Sequence, residues 1–159
     1  MYPHILYCVE TWGRACEIYL LPILLLQKKV LRLIKSVPKT YESKLLFAEL
    51  KVLTVNKLYQ YTVAIFMFKY KIGNLPPVFA EFFHTNSNAY DTRGQGLFRI
   101  PVCTSVLSQR RIRYTGVKMF NFLNDKIDRK CSINSYKRLL KSYLLRLIVQ
   151  FGNMIKRIS

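Results

Sequence analysis

The sequence predicts a mainly α-helical protein: a helical bundle around a central helix at about residues 55–72, with a small basic β-hairpin at about residues 97–114 and a C-terminal helix. Three patterns carry this prediction. Apolar side chains cover most of the circumference of residues 55–72, which is typical of a buried helix. Two short runs within residues 97–114 alternate apolar and cationic residues, as a half-exposed strand does. A last apolar stripe follows the helical period from residue 133 to residue 151.

The first long helix is predicted from Pro22, a residue that suits the first helical turn, to about Lys35. One arc of this helix is apolar and is expected to face the core; it consists of Ile23, Leu26, Val30, Leu33 and Ile34. The opposite arc, here called the basic ridge, consists of Lys28, Lys29, Arg32 and Lys35. The ordinary interpretation of such a ridge is a solvated helix face, and the alternative interpretation is contact with phosphate groups.

The central helix has sequence signals at both ends. Thr54 can cap its first turn, the helix covers about Val55–Ile72, and Gly73–Asn74 ends it. A shorter helix is expected before it, over Leu45–Leu50. We interpret the aromatic residues of the central helix as core packing rather than as a platform for stacked bases.

The predicted hairpin is built from the alternating runs Leu97–Ile100 and Arg111–Tyr114. Pro101 ends the first run, because proline cannot donate a hydrogen bond to a β-ladder. Gly116 ends the second run and opens a short helix over Val117–Leu123. Pairing of the two runs across the polar loop between them places three cations on one rim, namely Arg99, Arg111 and Arg113.

The C-terminal helix is predicted to begin after its cap, Ser132, and to cover Ile133 to about Phe151. Its apolar stripe consists of Ile133, Tyr136, Leu140, Tyr143, Leu144, Leu147 and Phe151. The expected organisation is a helical part over residues 1–83, a basic strand-containing part over 84–130, the amphipathic helix over 131–151 and a basic tail over 152–159.

The charge of the chain is strongly unbalanced. The 26 Lys and Arg residues outnumber the 8 Asp and Glu residues and give a net charge of +18, which favours polyanionic partners. Nucleic acid is the first candidate, an anionic membrane surface the second, and a basic protein without a specific partner the third. The residues predicted to bind nucleic acid are the basic ridge of Lys28, Lys29, Arg32 and Lys35, and a second patch of Arg93, Arg99, Arg110, Arg111, Arg113 and Lys118. Taken singly, each of these side chains is equally well interpreted as a solvated charge.

Catalytic, metal and cofactor chemistry is not expected from this chain. Its 8 acidic residues include no adjacent pair, so no carboxylate cluster for two metal ions is predicted. The 4 cysteines form no Cys-x-x-Cys pair, and His4 and His84 do not stand at ligand spacing. A glycine-rich phosphate loop and a catalytic triad context are also missing. The sequence therefore predicts no catalytic residue, no metal, no cofactor and no small-molecule substrate.

A membrane span and a secretion signal are not predicted either. The longest apolar run, Ile18–Leu26, is far shorter than the ~20 residues of a bilayer span, and Pro22 interrupts it. Glu10 and Arg14 precede it, and the N-terminus lacks a basic start before an apolar block. An intracellular location is expected, and the scattered cysteines fit a reducing compartment.

Several short motifs occur in the order and spacing of one known family. In chain order they are Tyr7–Gly13, Leu26–Lys29, Leu46–Leu50, Leu75–Pro76, Tyr90–Arg93, Arg99–Pro101, Ile112–Gly116 and Phe120–Asn121. Together, over about residues 5–148, they resemble the C-terminal thumb and post-thumb region of non-LTR retrotransposon reverse transcriptases, the jockey-like RNA-directed DNA polymerases of mobile elements. The resemblance implies a non-catalytic fragment whose thumb-like part, residues 1–83, binds the backbone of RNA, of an RNA–DNA hybrid or of a DNA duplex. It also implies an upstream polymerase palm as partner, with the catalytic aspartates, and work in the nucleus.

Two other functions stay open. The chain can be a relic or exonised fragment without a selected function, or a basic peripheral membrane or scaffold protein that lays amphipathic helices on anionic surfaces. Salt-dependent binding of nucleic acid separates the first hypothesis from the relic. Co-sedimentation with liposomes, without nucleic acid binding, favours the membrane protein.

Overall fold

The computed structural model describes residues 2–85, 97–124 and 132–155, and within them the protein is mainly α-helical, as predicted. The helices are α1 (Tyr2–Leu6), α2 (Val9–Trp12), α3 (Glu17–Lys35), α4 (Ser43–Glu49), α5 (Val55–Lys71), a 3₁₀ turn (Pro77–Phe79), α6 (Val106–Arg110), α7 (Ile112–Asn124) and α8 (Ile133–Ile155). The chain divides into two compact units, the first of Met1–Tyr61 with Arg138–Ser159 and the second of Thr62–Lys137. In the described part of the chain, no helix has both the length and the apolar character that a membrane crossing requires.

The predicted central helix is confirmed as α5, with nearly the expected bounds. Its N-terminal cap is a long contact of 3.5 Å between Lys57 N and Thr54 Oγ1. At the other end Gly73 has a φ of 69°, and its N–H donates to Tyr70 O. Such a left-handed residue ends a helix at little cost when it is glycine. The helix is apolar around most of its circumference because it is buried on several sides; its buried residues are Val55, Leu58, Tyr59, Val63, Ala64, Met67 and Phe68.

In the first unit, a buried amide connects α3 to the start of α5. Gln27 is 4% exposed, and its Oε1 accepts from Val55 N at 2.9 Å while its Nε2 donates to Leu53 O at 3.4 Å. Gln27 thereby satisfies the first N–H of α5, which has no partner inside its own helix. Leu46, Phe47, Leu53 and Leu31 are buried in the same unit.

The predicted inner face of α3 is wrong for three of its five residues, while Ile23 and Val30 are half-buried. Leu26, Leu33 and Ile34 are 52%, 76% and 64% exposed, whereas Leu20, Gln27 and Leu31 are buried. The helix also begins at Glu17, so Pro22 lies inside it rather than in its first turn. The prediction counted apolar residues alone, but the hydrogen bonds of Gln27 turn the helix so that a polar side chain faces inward.

The motif Tyr7–Gly13 has a structural explanation within the first unit. A Cβ atom on Gly13 would come within 2.5 Å of Val9 O and 2.6 Å of Tyr59 Cδ2, closer than real contacts allow. Trp12 Nε1 donates to Tyr7 O at 2.8 Å and closes the turn between α1 and α2. Glycine is required here because α2 approaches α5 without room for a side chain.

In the second unit, α7 packs closely on the C-terminal half of α5. Gly116 lies within α7, where an added Cβ would be 3.2 Å from Met67 Sδ and 3.4 Å from Val63 Cγ1. The ring of Phe68 stacks on Tyr136, with centroids 4.1 Å apart. An aromatic cluster completes this core, consisting of Phe66, Tyr70, Phe79, Phe82, Phe83, Phe98 and Phe120.

The predicted β-hairpin over residues 97–114 is wrong. Among the described residues the only β pairing is an isolated bridge between Thr85 and Phe98, and the second alternating run is helical, since α7 begins at Ile112 and not at Val117. Two local signals prevailed over the alternation. Ser105 Oγ accepts from Ser108 N at 3.2 Å and caps α6. Val117, Phe120 and Leu123 are all buried at helical spacing, a longer pattern than the four-residue alternation before it.

The predicted C-terminal helix is confirmed as α8. Ser132 caps it, because Ser135 N donates to Ser132 Oγ at 3.3 Å. From the predicted stripe, Tyr136, Leu140 and Leu144 are buried. The helix extends to Ile155, four residues beyond the predicted end at residue 151 and into the predicted tail.

Candidate nucleic-acid interface

A cavity of about 250 Å³ in the second unit brings three predicted cations together. Its lining consists of Phe82, Phe83, His84, Arg99, Pro101, Val102, Cys103, Thr104, Ser108, Arg111, Arg113 and Tyr114. The segment before α6, the junction between α6 and α7, and the segment that follows the 3₁₀ turn all contribute to this cationic cavity. The grouping of Arg99, Arg111 and Arg113 was predicted on the rim of a hairpin, and the structure achieves it with a helix pair instead.

Arg99 is placed by its backbone neighbours. Asn121 Nδ2 donates to Phe98 O at 2.7 Å, and Asn121 Oδ1 accepts from Phe98 N at 3.1 Å. Arg99 N in turn donates to His84 O at 2.8 Å. These three hydrogen bonds hold an extended segment without a regular sheet, and they bring Arg99 and His84 to the same side of the cavity.

Arg111 lies between α6 and α7, where the chain turns from one helix into the next. Its backbone is extended, with φ −66° and ψ 149°, and its carbonyl accepts from Tyr114 N and Thr115 N, both at 3.0 Å. The first turn of α7 contributes Arg113 and Tyr114 to the cavity lining.

Arg113 is oriented by Phe82. Its Nε donates to Phe82 O at 3.2 Å, and its guanidinium carbon lies 4.8 Å from the centre of the Phe82 ring. One guanidinium nitrogen is thus used to fix the side chain, while the described residues provide no partner for the two terminal nitrogens. A planar guanidinium held at one edge presents its other donors in a fixed direction.

The aromatic residues beneath the cavity are held by Tyr70. Tyr70 Oη lies 2.8 Å from both Ala80 O and Phe83 O, so its one proton can serve either carbonyl. Its ring meets Phe83 edge to face, with centroids 4.8 Å apart. Phe83 is buried, and it supports the cavity from the side opposite to solvent.

The electrostatics of the cavity favour anions. None of the described lining residues is acidic. The one ion pair within residues 2–85, 97–124 and 132–155 joins Lys35 and Glu49, in the first unit. Arg99 and Arg111 are exposed, and the described part of the chain offers neither side chain a hydrogen bond or an ion pair. With respect to the described residues, their donors are therefore free to bind a ligand.

The other predicted residues of this patch lie elsewhere. Arg110 is exposed at the end of α6 and does not line the cavity. Lys118 is exposed one helical turn after Tyr114, with its Nζ 5.9 Å from the centre of the Tyr114 ring. It therefore extends the positive surface from the cavity along α7. Arg93 lies outside the residues that the structure describes.

The basic ridge divides into two kinds of residue. Arg32 Nη2 donates to Ser43 Oγ at 2.7 Å and to Tyr41 O at 3.4 Å, and Lys35 forms its ion pair with Glu49. These two side chains tie α3 to the segment that ends in α4. Lys28 and Lys29 have no such partner within the described ranges, so they are the cations of the ridge that remain open to a ligand.

Several lining residues were not predicted. The backbone of His84 fixes Arg99, and Thr104, Ser108 and Tyr114 add polar groups to the cavity. The Ser-x-x-Ser spacing of residues 105–108 was the available signal, because serine at a helix start is a capping pattern. It identifies α6, and with it the position of Arg111.

The shifted pKa values lie away from the cavity. Burial lowers the pKa of Lys57 and raises the pKa of Tyr61, both on α5. In the described ranges, no group of three His, Cys, Asp or Glu side chains is placed to hold a metal ion.

Comparisons of the chain with family models, with curated proteins and with solved structures find no match.

Proposed function

We propose that the chain binds the phosphate backbone of nucleic acid without reading its sequence, through the cationic cavity and the positive surface that Lys118 extends from it. The observation that carries this proposal is the convergence of Arg99, Arg111 and Arg113 around a cavity whose lining, among the described residues, includes no acidic side chain. Arginine forks match phosphate oxygens in a bidentate geometry, and contacts of this kind set position rather than sequence. RNA, an RNA–DNA hybrid and a DNA duplex all offer such a backbone.

The phenylalanine rings beside the cavity offer little surface for base stacking. Base stacking on single strands needs rings that are open on one face. Phe83 and Phe98 are buried in the aromatic cluster, and Phe82 is already covered by the guanidinium of Arg113. Affinity is therefore expected to come from charge and hydrogen bonding to phosphate.

We also propose that this role is non-catalytic and that the chain is part of a retrotransposon-like reverse transcriptase. Its partner would then be a separate polymerase palm, and its location the nucleus. This proposal draws on the motif resemblance. Two residues that carry this resemblance, Gly13 and Asn121, have defined packing roles. These packing roles support a folded chain.

The test is fluorescence anisotropy of the full chain with a labelled RNA–DNA hybrid, between 50 and 200 mM salt. If about five phosphates are neutralised, the affinity falls on the order of 10²–10³-fold over that range. Unrelated sequences are expected to give the same affinity and the same slope. A chain that is helical by circular dichroism and does not bind at 50 mM salt contradicts the proposal.

An anionic membrane surface is the second candidate, because of the outward side of α3. Apolar residues are exposed there next to Lys28 and Lys29; they are Ile18, Leu21, Leu25, Leu26 and Leu33. An exposed apolar face beside cations is the pattern of an interfacial helix. Co-sedimentation with phosphatidylserine vesicles, which Leu25→Ser with Leu33→Ser abolishes, together with no binding of nucleic acid, selects this candidate.

A further inference from the structure

The cationic cavity is a recess rather than a flat surface, and its size limits what can enter. Its volume of about 250 Å³ is below the roughly 300–1,000 Å³ of usual small-molecule pockets. A duplex backbone cannot enter such a recess, although it can lie across its mouth. A single phosphate group with part of its sugar can enter.

The donors in the recess exceed what one internal phosphodiester needs. Among the described residues, nothing binds the guanidinium groups of Arg99 and Arg111 or the two terminal nitrogens of Arg113. An internal phosphodiester has one negative charge, whereas a terminal phosphomonoester has a charge of about −1.5 to −2 at neutral pH and three acceptor oxygens. Three converging arginines match the second group better than the first.

Hydroxyl groups complete the set of donors. The Oγ atoms of Ser105 and Ser108 lie 2.9 Å apart, and either hydroxyl can be the donor, so Ser108 can turn its proton towards a ligand. Thr104 contributes a second hydroxyl to the lining. The apolar side chains of Pro101 and Val102 lie on the same lining and offer contact to the sugar next to a bound phosphate.

We infer that the cavity binds the terminal phosphomonoester of a nucleic acid strand, with Arg99, Arg111 and Arg113 as its ligands. This inference rests on the proposed function, since it assigns the end of a strand to the recess and the strand's backbone to the surface around it. The chain then prefers phosphorylated strand ends over hydroxyl ends, in addition to its general affinity for the backbone.

The test compares one labelled single-stranded oligonucleotide in three forms: with a 5′-phosphate, with a 3′-phosphate and with hydroxyls at both ends. Binding to the full chain is measured by anisotropy at constant salt. One phosphorylated form is expected to bind about tenfold more tightly than the hydroxyl form. Adenosine monophosphate is expected to reduce the affinity of that form to the level of the hydroxyl form, whereas adenosine is not.

Arg111→Gln and Arg110→Gln are the matched pair of variants. They remove the same charge at neighbouring positions, but only Arg111 lines the cavity. Arg111→Gln is expected to remove the preference for the phosphorylated end, and Arg110→Gln is expected to keep it. Neither side chain has a described partner inside the protein, so both variants are expected to fold, which circular dichroism checks.

Each failure has a distinct meaning. Equal affinity for all three forms, with binding intact, overturns the inference and leaves the proposed function standing. A preference that Arg110→Gln and Arg111→Gln reduce equally also overturns it, because the recess is then not the site. Adenosine monophosphate that binds as tightly as the phosphorylated strand assigns the recess to a free nucleotide and overturns the strand-end assignment. Absence of binding to every oligonucleotide at low salt contradicts the proposed function itself.

Discussion

The side-chain amide of Asn121 pairs with both backbone groups of Phe98, donating to the carbonyl at 2.7 Å and accepting from the N–H at 3.1 Å. The amide of this α7 residue thereby makes the two hydrogen bonds that a neighbouring β-strand would make to an extended segment. The next residue along that segment is Arg99, whose N–H donates to His84 O. One asparagine therefore connects the fold of the second unit to the position of a cation in the cavity.

Asn121→Ala is expected to leave both backbone groups of Phe98 without partners. The expected cost is about 1–3 kcal/mol in the free energy of unfolding, measured by urea denaturation. Phosphate binding is expected to weaken as well, because Arg99 loses its anchor. Asn56→Ala, at an exposed position of α5, is the control and is expected to leave both quantities nearly unchanged. An equal effect of the two substitutions contradicts the role of the Asn121 amide.

Gly13→Ala is expected to destabilise the first unit by about 1–3 kcal/mol, since its Cβ overlaps Val9 O and Tyr59. The backbone of Gly13, with φ −66°, is allowed for alanine, so the effect comes from the clash alone. Gly73→Ala is the comparison, because its surroundings are open and its cost of about 1–2 kcal/mol comes from the positive φ. Thermal unfolding followed by circular dichroism measures both, and an unchanged midpoint for Gly13→Ala sinks the close-contact explanation.

Gln27→Leu keeps the size of the side chain and removes both hydrogen bonds of the amide. Val55 N and Leu53 O are then buried without partners, which is expected to cost about 1–3 kcal/mol of unfolding free energy. Gln109→Leu, on the exposed side of α6, provides the matched control. A Gln27→Leu protein as stable as the original shows that the amide is dispensable and that α3 is oriented by its apolar contacts.

The basic ridge is expected to separate into structural and binding residues. Arg32→Gln is expected to lower stability, because its guanidinium holds Ser43 and the Tyr41 carbonyl. Lys28→Gln with Lys29→Gln is expected to leave stability unchanged. If the ridge contacts nucleic acid, the double variant reduces the slope of log affinity against log salt by up to about 2. An unchanged slope shows that Lys28 and Lys29 do not contact nucleic acid.

Arg113→Lys tests the orientation of a guanidinium rather than its charge. Lysine keeps the positive charge but cannot donate to Phe82 O from a planar fork or cover the Phe82 ring in the same way. The salt slope is therefore expected to stay constant while the affinity falls about three- to tenfold. Lys118→Arg, at an exposed position, is the converse control and is expected to have little effect. Equal affinity of Arg113→Lys and the original chain shows that charge alone matters at this position.

Long periodic patterns predicted the helices. The apolar circumference of α5 and the stripe of Tyr136, Leu140 and Leu144 extend over several turns, so their period is unambiguous. The run Arg111–Tyr114 covers four residues, and over that length alternation is compatible with either period. The helical interpretation required the buried set that follows it in α7, from Val117 to Leu123.

The sequence by itself determined the helical class, the bounds of α5 and the excess of cations, because these depend on local pattern and composition. Only the tertiary structure decided which face of α3 is buried, since that depends on two backbone groups beside α5 that lack partners until Gln27 reaches them. It also decided which cations are available. Arg32 and Lys35 bind residues that are distant in sequence. Arg99 reaches the recess because His84 and Asn121 hold its segment of the backbone, and Arg111 reaches it because it lies at the junction of two helices. The number of cations follows from the sequence, whereas the grouping of their side chains around one recess depends on tertiary packing.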